Sequence, residues 1–324
     1  MKRRDFAGAL ALAGLGADAF AQATAYPGIK PIRLVIGFTP GGAADYVARA
    51  MSDPLGKNLG QTVIVENRPG AGASIATDLV AKAAPDGYSL LLASPGSILV
   101  NPALNPKLPY TLRDLTPVAK VTSSPLVIAA NPASGINSIQ DLVARLKQSP
   151  GQVNCATAGN GSAPHLGAAL FSQVTGTQMM LVPFRGGAPA IQSVIAGDTH
   201  VTFGTPPSVL PMIQQGRLKG LAVSARESSS MFPGLPGMAE AGVPDYAIDF
   251  WYGLFVPAAT PSAVVKKIFD AAVVTMEQPA IKAALAREGT AVDVSRSPEQ
   301  FVAFLEQDAK FWVKLVKDAG VKLD

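Results

Sequence analysis

The sequence predicts an α/β fold in which a mainly parallel sheet is flanked by helices in each of two domains. Short apolar runs are bounded by glycine-rich turns, as in strands that are buried on both faces. Each run is followed by a segment in which apolar residues recur at helical spacing. This order repeats in the second half of the 324-residue chain, which is long enough for two domains.

The first unit sets the pattern. Arg33–Phe38 is a nearly continuous apolar run, Thr39–Gly42 breaks it, and helical spacing begins at Ala43. Such a turn leaves unpaired N–H groups at the helix start, and these suit an anion, above all a carboxylate. Asp45 would be the third helical residue and could accept a hydrogen bond from the capping N–H. The alternative is that these glycines and this carboxylate only build a tight turn and a capped helix.

The later segments repeat this unit. The turn at Ser94–Ser97 and the other glycine turns should share one sheet edge, where open α/β sheets bind ligands. A proline-rich stretch, Asn101–Pro117, separates the two sets. Further strands are predicted over Val63–Glu66, Ser89–Ala93, Leu126–Ala130, Asn154–Thr157, Met179–Val182, Val201–Phe203, Leu221–Ser224 and Phe250–Val256. Further helices are predicted over Ser74–Ala84, Ser138–Gln148, Ser162–Val174, Ala188–Ala196, Pro261–Met276, Pro279–Arg287 and Pro298–Ala319.

Two crossings between the lobes are expected, near Leu126–Ala130 and Ile248–Val256, and they would leave a cleft. The three C-terminal helices should return to the first lobe, because no strand-rich tail remains for a third domain. An export signal is expected at residues 1–21. Domain 1 would comprise residues 22–126 and 251–324, and domain 2 residues 127–250.

The first residues predict export to the periplasm. A basic head and an Ala/Leu/Gly stretch end in Ala19-Phe20-Ala21, which predicts a signal cleaved after Ala21. Arg3-Arg4-Asp5-Phe6 fits the twin-arginine form, and an ordinary Sec signal is the alternative. Cleavage takes Lys+Arg from 27 to 24 and Asp+Glu from 23 to 21, a net charge of about +3 without a basic cluster. This is too mild to predict nucleic-acid binding. No later apolar run approaches the ~18 residues of a membrane span, so the mature chain is expected to be soluble.

The composition offers little for redox or metal chemistry. Cys155 is the single cysteine, which excludes an internal disulfide, and its apolar neighbours favour a buried side chain. The two histidines, His165 and His200, lie 35 positions apart and form no ligand cluster with it. No cofactor and no metal are predicted.

The second half carries its own strand-turn-helix at residues 154–165. Ser162 is a good N-cap, and Thr157, Ser162 and His165 offer two hydroxyls and an imidazole at a helix start. Two such turns facing each other across a cleft could hold the two ends of a dicarboxylate. Arg185 could pair with a second carboxylate or be a solvated side chain, and both interpretations stay open.

The order of motifs resembles the Bug family of periplasmic solute-binding proteins, also called the TctC-type receptors of tripartite tricarboxylate transporters. The resemblance covers essentially the whole mature chain. The matching motifs are F-T-P-G-G-x-x-D at 38–45, E-N-R-P-G-A-G at 66–72, P-D-G-Y at 85–88, A-G-N-G-S-A-P-H-L at 158–166, V-P-F-R-G at 182–186, E-A-G-V-P at 240–244 and W-Y-G-L-F-V-P at 251–257.

The resemblance implies a type II periplasmic-binding-protein fold, a Venus flytrap whose two α/β domains close on a small carboxylated ligand. It also implies a receptor and not an enzyme, serving a membrane permease or a sensor kinase; we expect a monomer. The residues expected to bind the ligand are Phe38, Thr39, Gly41, Gly42, Asp45, Ser94, Thr157, Gly159, Gly161, Ser162, His165, Phe184, Arg185, Gly204 and Thr205.

Departures from the family pattern bear on the ligand. Phe184-Arg185 stands where many relatives have Tyr-Lys, and Gly204 where many have an aspartate that looks suited to an ammonium group. His200 replaces a usual acidic residue. A ligand without an ammonium group is therefore expected, either a dicarboxylate or an aromatic acid.

Two enzymatic alternatives remain. Ser162 and His165 could serve an exported hydrolase, yet no G-x-S-x-G elbow exists and no acid is placed to orient the histidine. A dinucleotide enzyme would use the glycines at 70–72, but Ile75 occupies the place of the third glycine. For Trp251 and Tyr252, core packing is favoured and contact with the hinge or cleft comes second.

Overall fold

A computed structural model describes residues 26–318, which form two sheets covered by helices. The predicted export signal lies outside the described residues. The strands are β1 Ile32–Ile36, β2 Val63–Asn67, β3 Ser89–Ala93, β4 Leu115–Pro125, β5 Val127–Ala130, β6 Asn154–Thr157, β7 Met180–Pro183, β8 Val201–Gly204, β9 Lys219–Val223, β10 Asp249–Pro257 and β11 Ala291–Val292. The helices are α1 Ala43–Leu59, α2 Ser74–Ala81, α3 Asn101–Leu104, α4 Ile139–Gln148, α5 Ala163–Thr175, α6 Gly187–Ala196, α7 Pro206–Gln214, α8 Ser262–Met276, α9 Pro279–Arg287 and α10 Pro298–Asp318.

The first sheet has the order β11-β4-β10-β3-β1-β2. Strand β1 runs parallel to β2 and β3, with Leu34 opposite both Val65 and Leu90, whereas β10 and β4 run antiparallel. Helices α1 and α8 cover one face, where Met51 and Ile268 are fully buried. Helix α8 thus packs on the first sheet. The bounds of the two domains stay a prediction.

The second sheet has the order β7-β6-β8-β5-β9. Strand β6 runs parallel to β7 and β8, and β5 runs antiparallel to β8 and β9. Cys155 on β6 is fully buried in a core shared with α5 and α10, as its apolar neighbours predict. Burial raises the pKa of this thiol to about 12, so it stays protonated and inert.

The chain passes between the sheets at two neighbouring places. Strand β4 continues through Leu126 into β5, and β10 leads back into the first sheet. The buried Ser224 hydroxyl accepts a hydrogen bond from the Leu126 N–H (2.7 Å) and donates one to the Ile248 carbonyl (2.5 Å). One side chain thus ties both crossings together.

The predicted α/β class is confirmed, and four of the described elements were missed: the short α3 and β11 and the longer β4 and α7. Strand β4 starts within a segment that looked proline-rich and loop-like, because Thr116 and Pro117 interrupt any alternating pattern. Helix α7 was not predicted because Pro206, Pro207 and Pro211 obscured it, although prolines are tolerated in a first helical turn. Each sheet is also more mixed than expected, since the crossing strands and β9 add antiparallel pairs.

Candidate functional site

The site lies where glycine-rich turns of the two sheets meet. These turns follow β1, β2 and β3 in the first sheet and β6, β7 and β8 in the second, at the carboxyl ends of parallel strands. A Cβ atom added to Gly96 would lie 2.0 Å from the Gly161 oxygen, and one added to Gly72 would lie 2.1 Å from the Asn160 oxygen. The sheets therefore meet backbone to backbone, and the cleft between them is closed.

The inner of two compartments in this cleft is narrow. It has a volume of about 30 Å³, where a single water needs roughly 10–15 Å³. We call it the inner chamber. Its lining residues are Phe38, Gly42, Ala43, Ala44, Ser94, Ala158, Ser162, Ala163, Pro164, Gly187, Ala190, Ile191, Thr202, Gly204, Thr205, Ser208 and Tyr252.

Four helix N-termini converge on the inner chamber. The caps of α1, α5 and α7 (Gly42, Ser162 and Thr205) line it, as does Gly187 at the start of α6. Helix starts carry partial positive charge and usually unpaired N–H groups, which attract an anion. Helix α7 begins with Pro206-Pro207, which have no N–H, so it contributes its dipole and the Thr205 hydroxyl. No charged side chain is among the lining residues, so neutral donors and helix ends would hold the anion. The volume suits one carboxylate group.

The Ser162 hydroxyl is available to a ligand. This N-cap residue is 1% exposed, yet its side chain makes no capping hydrogen bond, and its oxygen has no partner among the described residues. The cap of α4 behaves differently, because the Ser138 oxygen accepts a hydrogen bond from the Asp141 N–H at 3.0 Å. A buried hydroxyl without a partner is costly, and a bound carboxylate would supply the missing hydrogen bond.

The outer compartment, which we call the outer cavity, has a volume of about 290 Å³. Phe38 and Ala158 line both compartments, so they stand between them. Asn101 contributes a buried carbonyl oxygen without a partner in residues 26–318, while its amide nitrogen donates to the Gly72 carbonyl and the Ser74 hydroxyl at 3.0 Å each. The lining residues are Gly37, Phe38, Gly70, Ala71, Gly72, Ala73, Ser74, Asn101, Asn105, Leu108, Ala158, Gly159, Asn160, Pro183, Phe184 and Arg185.

Arg185 is the one charged side chain in the lining of either compartment. It lies in the outer cavity, is exposed, and takes no part in the ion pairs found between residues 26 and 318. Neither lining contains an aspartate or a glutamate. The cleft therefore offers donors and positive charge but no acidic group that would balance a ligand ammonium.

Asp45 supports the first turn from behind. It is the third residue of α1, as predicted, and its carboxylate accepts hydrogen bonds from the Gly41 N–H (3.1 Å), Asn67 (3.0 Å) and Arg49 (2.9 Å). Burial favours the neutral acid, but these hydrogen bonds outweigh it and lower the pKa of Asp45. The negative charge of Asp45 at the start of α1 is thus already paired with Arg49 and with hydrogen-bond donors. Asp45 itself lines neither compartment.

His165 supports the second turn. Its Nδ1 accepts a hydrogen bond from the Gly161 N–H at 2.8 Å, so the neutral ring carries its proton on Nε2. The side chain is 5% exposed, and burial lowers the pKa of His165 to about 4. The imidazole is therefore neutral near pH 7 and holds one of the turn amides that had looked free for a ligand.

The structure brings nine of the predicted residues into the two linings and leaves six beside them. The nine are Phe38, Gly42, Ser94, Gly159, Ser162, Phe184, Arg185, Gly204 and Thr205. The six that line neither are Thr39, Gly41, Asp45, Thr157, Gly161 and His165. Direct ligand contact stays a prediction for all fifteen.

We looked for a catalytic pair and for a metal site among residues 26–318. The Ser162 hydroxyl, without a partner, makes no hydrogen bond to His165, so a nucleophile and base pair is not formed. Within the described part of the chain, no group of three His, Cys, Asp or Glu side chains could hold a metal ion.

Comparison with known proteins identifies the family. A sequence model described as "Tripartite tricarboxylate transporter family receptor", TctC, matches residues 47–321. The chain belongs to the TctC family. This is a family of periplasmic solute-binding receptors, and the resemblance seen in the sequence motifs is confirmed.

Individual TctC relatives match along almost their whole length. Protein BugT of Bordetella pertussis (strain Tohama I) is 35% identical over 97% of this chain and 96% of its own. The structure of MatC (Rpa3494) from Rhodopseudomonas palustris with bound malate has a TM-score of 0.84 at 29% identity, covering 88% of this chain and 98% of its own. R. palustris Rpa4515 with adipate has a TM-score of 0.87 at 28% identity, covering 92% and 99%.

None of the helices between residues 26 and 318 combines the length and apolar character that a membrane crossing requires.

Sequence reasoning missed part of the lining of this TctC receptor. Ser208 belongs to the unpredicted helix α7, and its hydroxyl lies 3.3 Å from that of Thr205. Tyr252 was interpreted as packing because it stands in an aromatic strand. The glycine turn at 70–73 was expected at the ligand-binding sheet edge, but its residues were not among the predicted ligand contacts; they line the outer cavity. Its position after β2, at the same sheet edge as the first turn, was the available signal.

Proposed function

We propose that this chain is an extracytoplasmic receptor that captures a small dicarboxylate in the cleft between its two sheets. One observation carries the proposal: four helix N-termini converge on a chamber the size of one carboxylate, and no charged side chain lines it. A carboxylate there would be stabilised by N–H groups and hydroxyls without any counter-ion.

The other end of the ligand would lie in the outer cavity. Phe38 and Phe184 would pack on its carbon chain, and Arg185 would pair with the second carboxylate in forked geometry. Ligands of this class are named for two relatives of similar structure, malate for MatC and adipate for Rpa4515. The small inner chamber favours an aliphatic carboxylate end over a ring.

The ligand should not be an amino acid. An ammonium group in a buried cleft needs a carboxylate partner or several acceptors, and neither lining contains an acidic side chain. Gly204, which lines the inner chamber, provides no charge where many relatives have an aspartate.

The chain would act as a non-enzymatic, monomeric receptor in the periplasm, exported by a Tat or Sec signal at residues 1–21. Residues 22–126 with 251–324 would form one rigid half and residues 127–250 the other, and the ligand would favour the closed arrangement. The closed receptor would then deliver the acid to a membrane permease of the tripartite tricarboxylate transporter type or report it to a sensor kinase.

A calorimetric titration of the purified mature protein tests this function. We expect adipate or malate to bind with a stoichiometry of one and to be recovered unchanged, while aspartate and glutamate bind far more weakly. Failure of every dicarboxylate to bind, or tight binding of the amino acids alone, would overturn the proposal. Turnover of the acid would instead indicate the hydrolase.

The placement of the second carboxylate is tested by comparing adipate with hexanoate, which lacks one carboxylate. Because Arg185 is exposed, the advantage of adipate should be modest, about 2- to 5-fold. Arg185→Gln should abolish that advantage, while Arg145→Gln on the exposed face of α4 should retain it. An unchanged preference in Arg185→Gln would place the second carboxylate elsewhere.

A further inference from the structure

Tyr252 lies on the strand that links the two sheets and also lines the inner chamber. It is the fourth residue of β10 and pairs with Thr122 of β4, the other crossing strand. The pairing register shifts between Tyr252 and Gly253. Such an irregularity re-aims a side chain relative to a regular strand.

The hydroxyl of Tyr252 differs from the other tyrosine hydroxyls. The chain has six tyrosines, and within residues 26–318 the Tyr252 hydroxyl makes no hydrogen bond. The other five are engaged: Tyr26 with the Gly87 carbonyl, Tyr46 with the Ala284 carbonyl, Tyr88 with the Gly28 N–H, Tyr110 with the Ser97 carbonyl and Tyr246 with the Gly167 carbonyl.

Burial keeps this phenol in its neutral form. The ring packs against the core between the first sheet and helices α1 and α8, and burial raises the pKa of Tyr252 above its ordinary value. A neutral phenol retains its proton and can donate it in a hydrogen bond. The residue is half-buried, and its hydroxyl, unlike that of Ser162, keeps some accessible surface, so a ligand in the chamber that Tyr252 lines can reach it.

We propose that Tyr252 is a specificity-determining residue that donates its hydroxyl hydrogen bond to the ligand carboxylate in the inner chamber. The proposal rests on the proposed function, since it needs a carboxylate at that place. The acid would then contact a crossing strand directly, in addition to the helix starts of both halves. Ligand occupancy would be linked to the segment about which the sheets are joined.

The variant Tyr252→Phe tests the proposal because it removes one oxygen atom. We expect its Kd for adipate and malate, measured by calorimetry, to rise about 10- to 100-fold, as for the loss of a hydrogen bond to a charged group. The melting temperature of the ligand-free protein should stay close to that of the wild type, because no bond within the described protein is lost.

Tyr246→Phe is the matched control. Its hydroxyl donates to the Gly167 carbonyl at 3.1 Å, away from both linings. This variant should lose thermal stability and keep the wild-type Kd. If the wild type binds tightly and Tyr252→Phe binds equally well, the proposed role of Tyr252 is wrong while the receptor function stands. If the wild type binds neither acid, the proposed function fails and this inference with it.

Discussion

At the scale of single residues, two serines at helix starts differ in their hydrogen bonding. Ser138 and Ser162 both precede helices, but only the first uses its side chain to cap. Ser162 instead keeps a buried hydroxyl facing the space where helix N-termini converge. We therefore expect the same residue type to contribute to stability in one turn and to recognition in the other.

The variant pair Ser162→Ala and Ser138→Ala measures this difference. Ser138→Ala should cost about 1 kcal/mol of unfolding free energy, since a functional cap is lost, and should leave dicarboxylate affinity unchanged. Ser162→Ala should cost little stability and weaken binding by about 10-fold or more. Urea unfolding and calorimetry of both variants provide the data, and a reversed pattern would show that Ser162 is the structural cap.

His165 should make the free energy of unfolding fall as the pH is lowered. Its usual pKa of 6.5 falls to about 4 in the folded protein, so the unfolded chain takes up a proton between these values and the folded chain does not. The contribution of the neutral ring to the free energy of unfolding is complete above pH 6.5 and is lost as the pH falls toward 4. The loss amounts to roughly 3 kcal/mol in total.

The variant His165→Asn keeps an acceptor for the Gly161 N–H but cannot titrate. Denaturant unfolding at pH 4 to 8 should give a wild-type curve that falls more steeply below pH 6.5 than that of the variant. Two parallel curves would contradict the neutral, buried state of this histidine.

At the scale of elements, glycine turns of one sheet contact glycine turns of the other through their backbones. Gly96 follows β3 and meets the turn before α5, and its own φ lies outside the left-handed region. An alanine there would be tolerated by the local backbone, but its Cβ would lie 2.0 Å from the Gly161 oxygen. The need for glycine thus arises from the contact between the sheets.

The variant Gly96→Ala should consequently hinder closure. We expect the affinity for the dicarboxylate to fall ~10-fold or more, because the binding-competent state becomes a minor one. The melting temperature of the ligand-free protein should change little if the two halves can separate. A large loss of ligand-free stability together with normal affinity would show that the contact belongs to the fold and not to closure.

The elements also show what the sequence could reveal. Buried apolar runs followed by glycine turns were recognisable, so β1, β6 and the starts of α1 and α5 were predicted, together with residues that line the cleft, such as Phe38 and Ser162. Helix α7 was hidden by its prolines, and with it Ser208. For Tyr252, contact with the cleft came second to core packing, because its proposed role depends on one hydroxyl in an aromatic strand that resembles core. The turn functions of Asp45 and His165 depend on hydrogen bonds that spacing does not reveal.

At the scale of the whole molecule, both tryptophans report on the joint between the sheets. The chain has two: Trp251 on β10 and Trp312 on α10, whose indole N–H groups donate to the same Asp308 oxygen at 2.7 and 2.8 Å. Trp312 also packs on Phe250 of the crossing strand. Their environment should change when the sheets move.

Ligand binding should be visible in two independent whole-molecule signals. A dicarboxylate at 100 times its Kd should add about 2.7 kcal/mol to the unfolding free energy and raise the melting temperature. The intrinsic tryptophan fluorescence should change at the same ligand concentrations, with hexanoate giving a smaller stabilisation than adipate. A thermal shift without any fluorescence change would argue against movement at the crossing strands.

The most direct test of the central claim is a crystal structure of the mature protein with bound adipate. One carboxylate should lie in the inner chamber within hydrogen-bond distance of the Ser162 hydroxyl and the N-termini of α1 and α5, with the other near Arg185. Adipate bound wholly outside the inner chamber, or on another surface of the protein, would contradict the account.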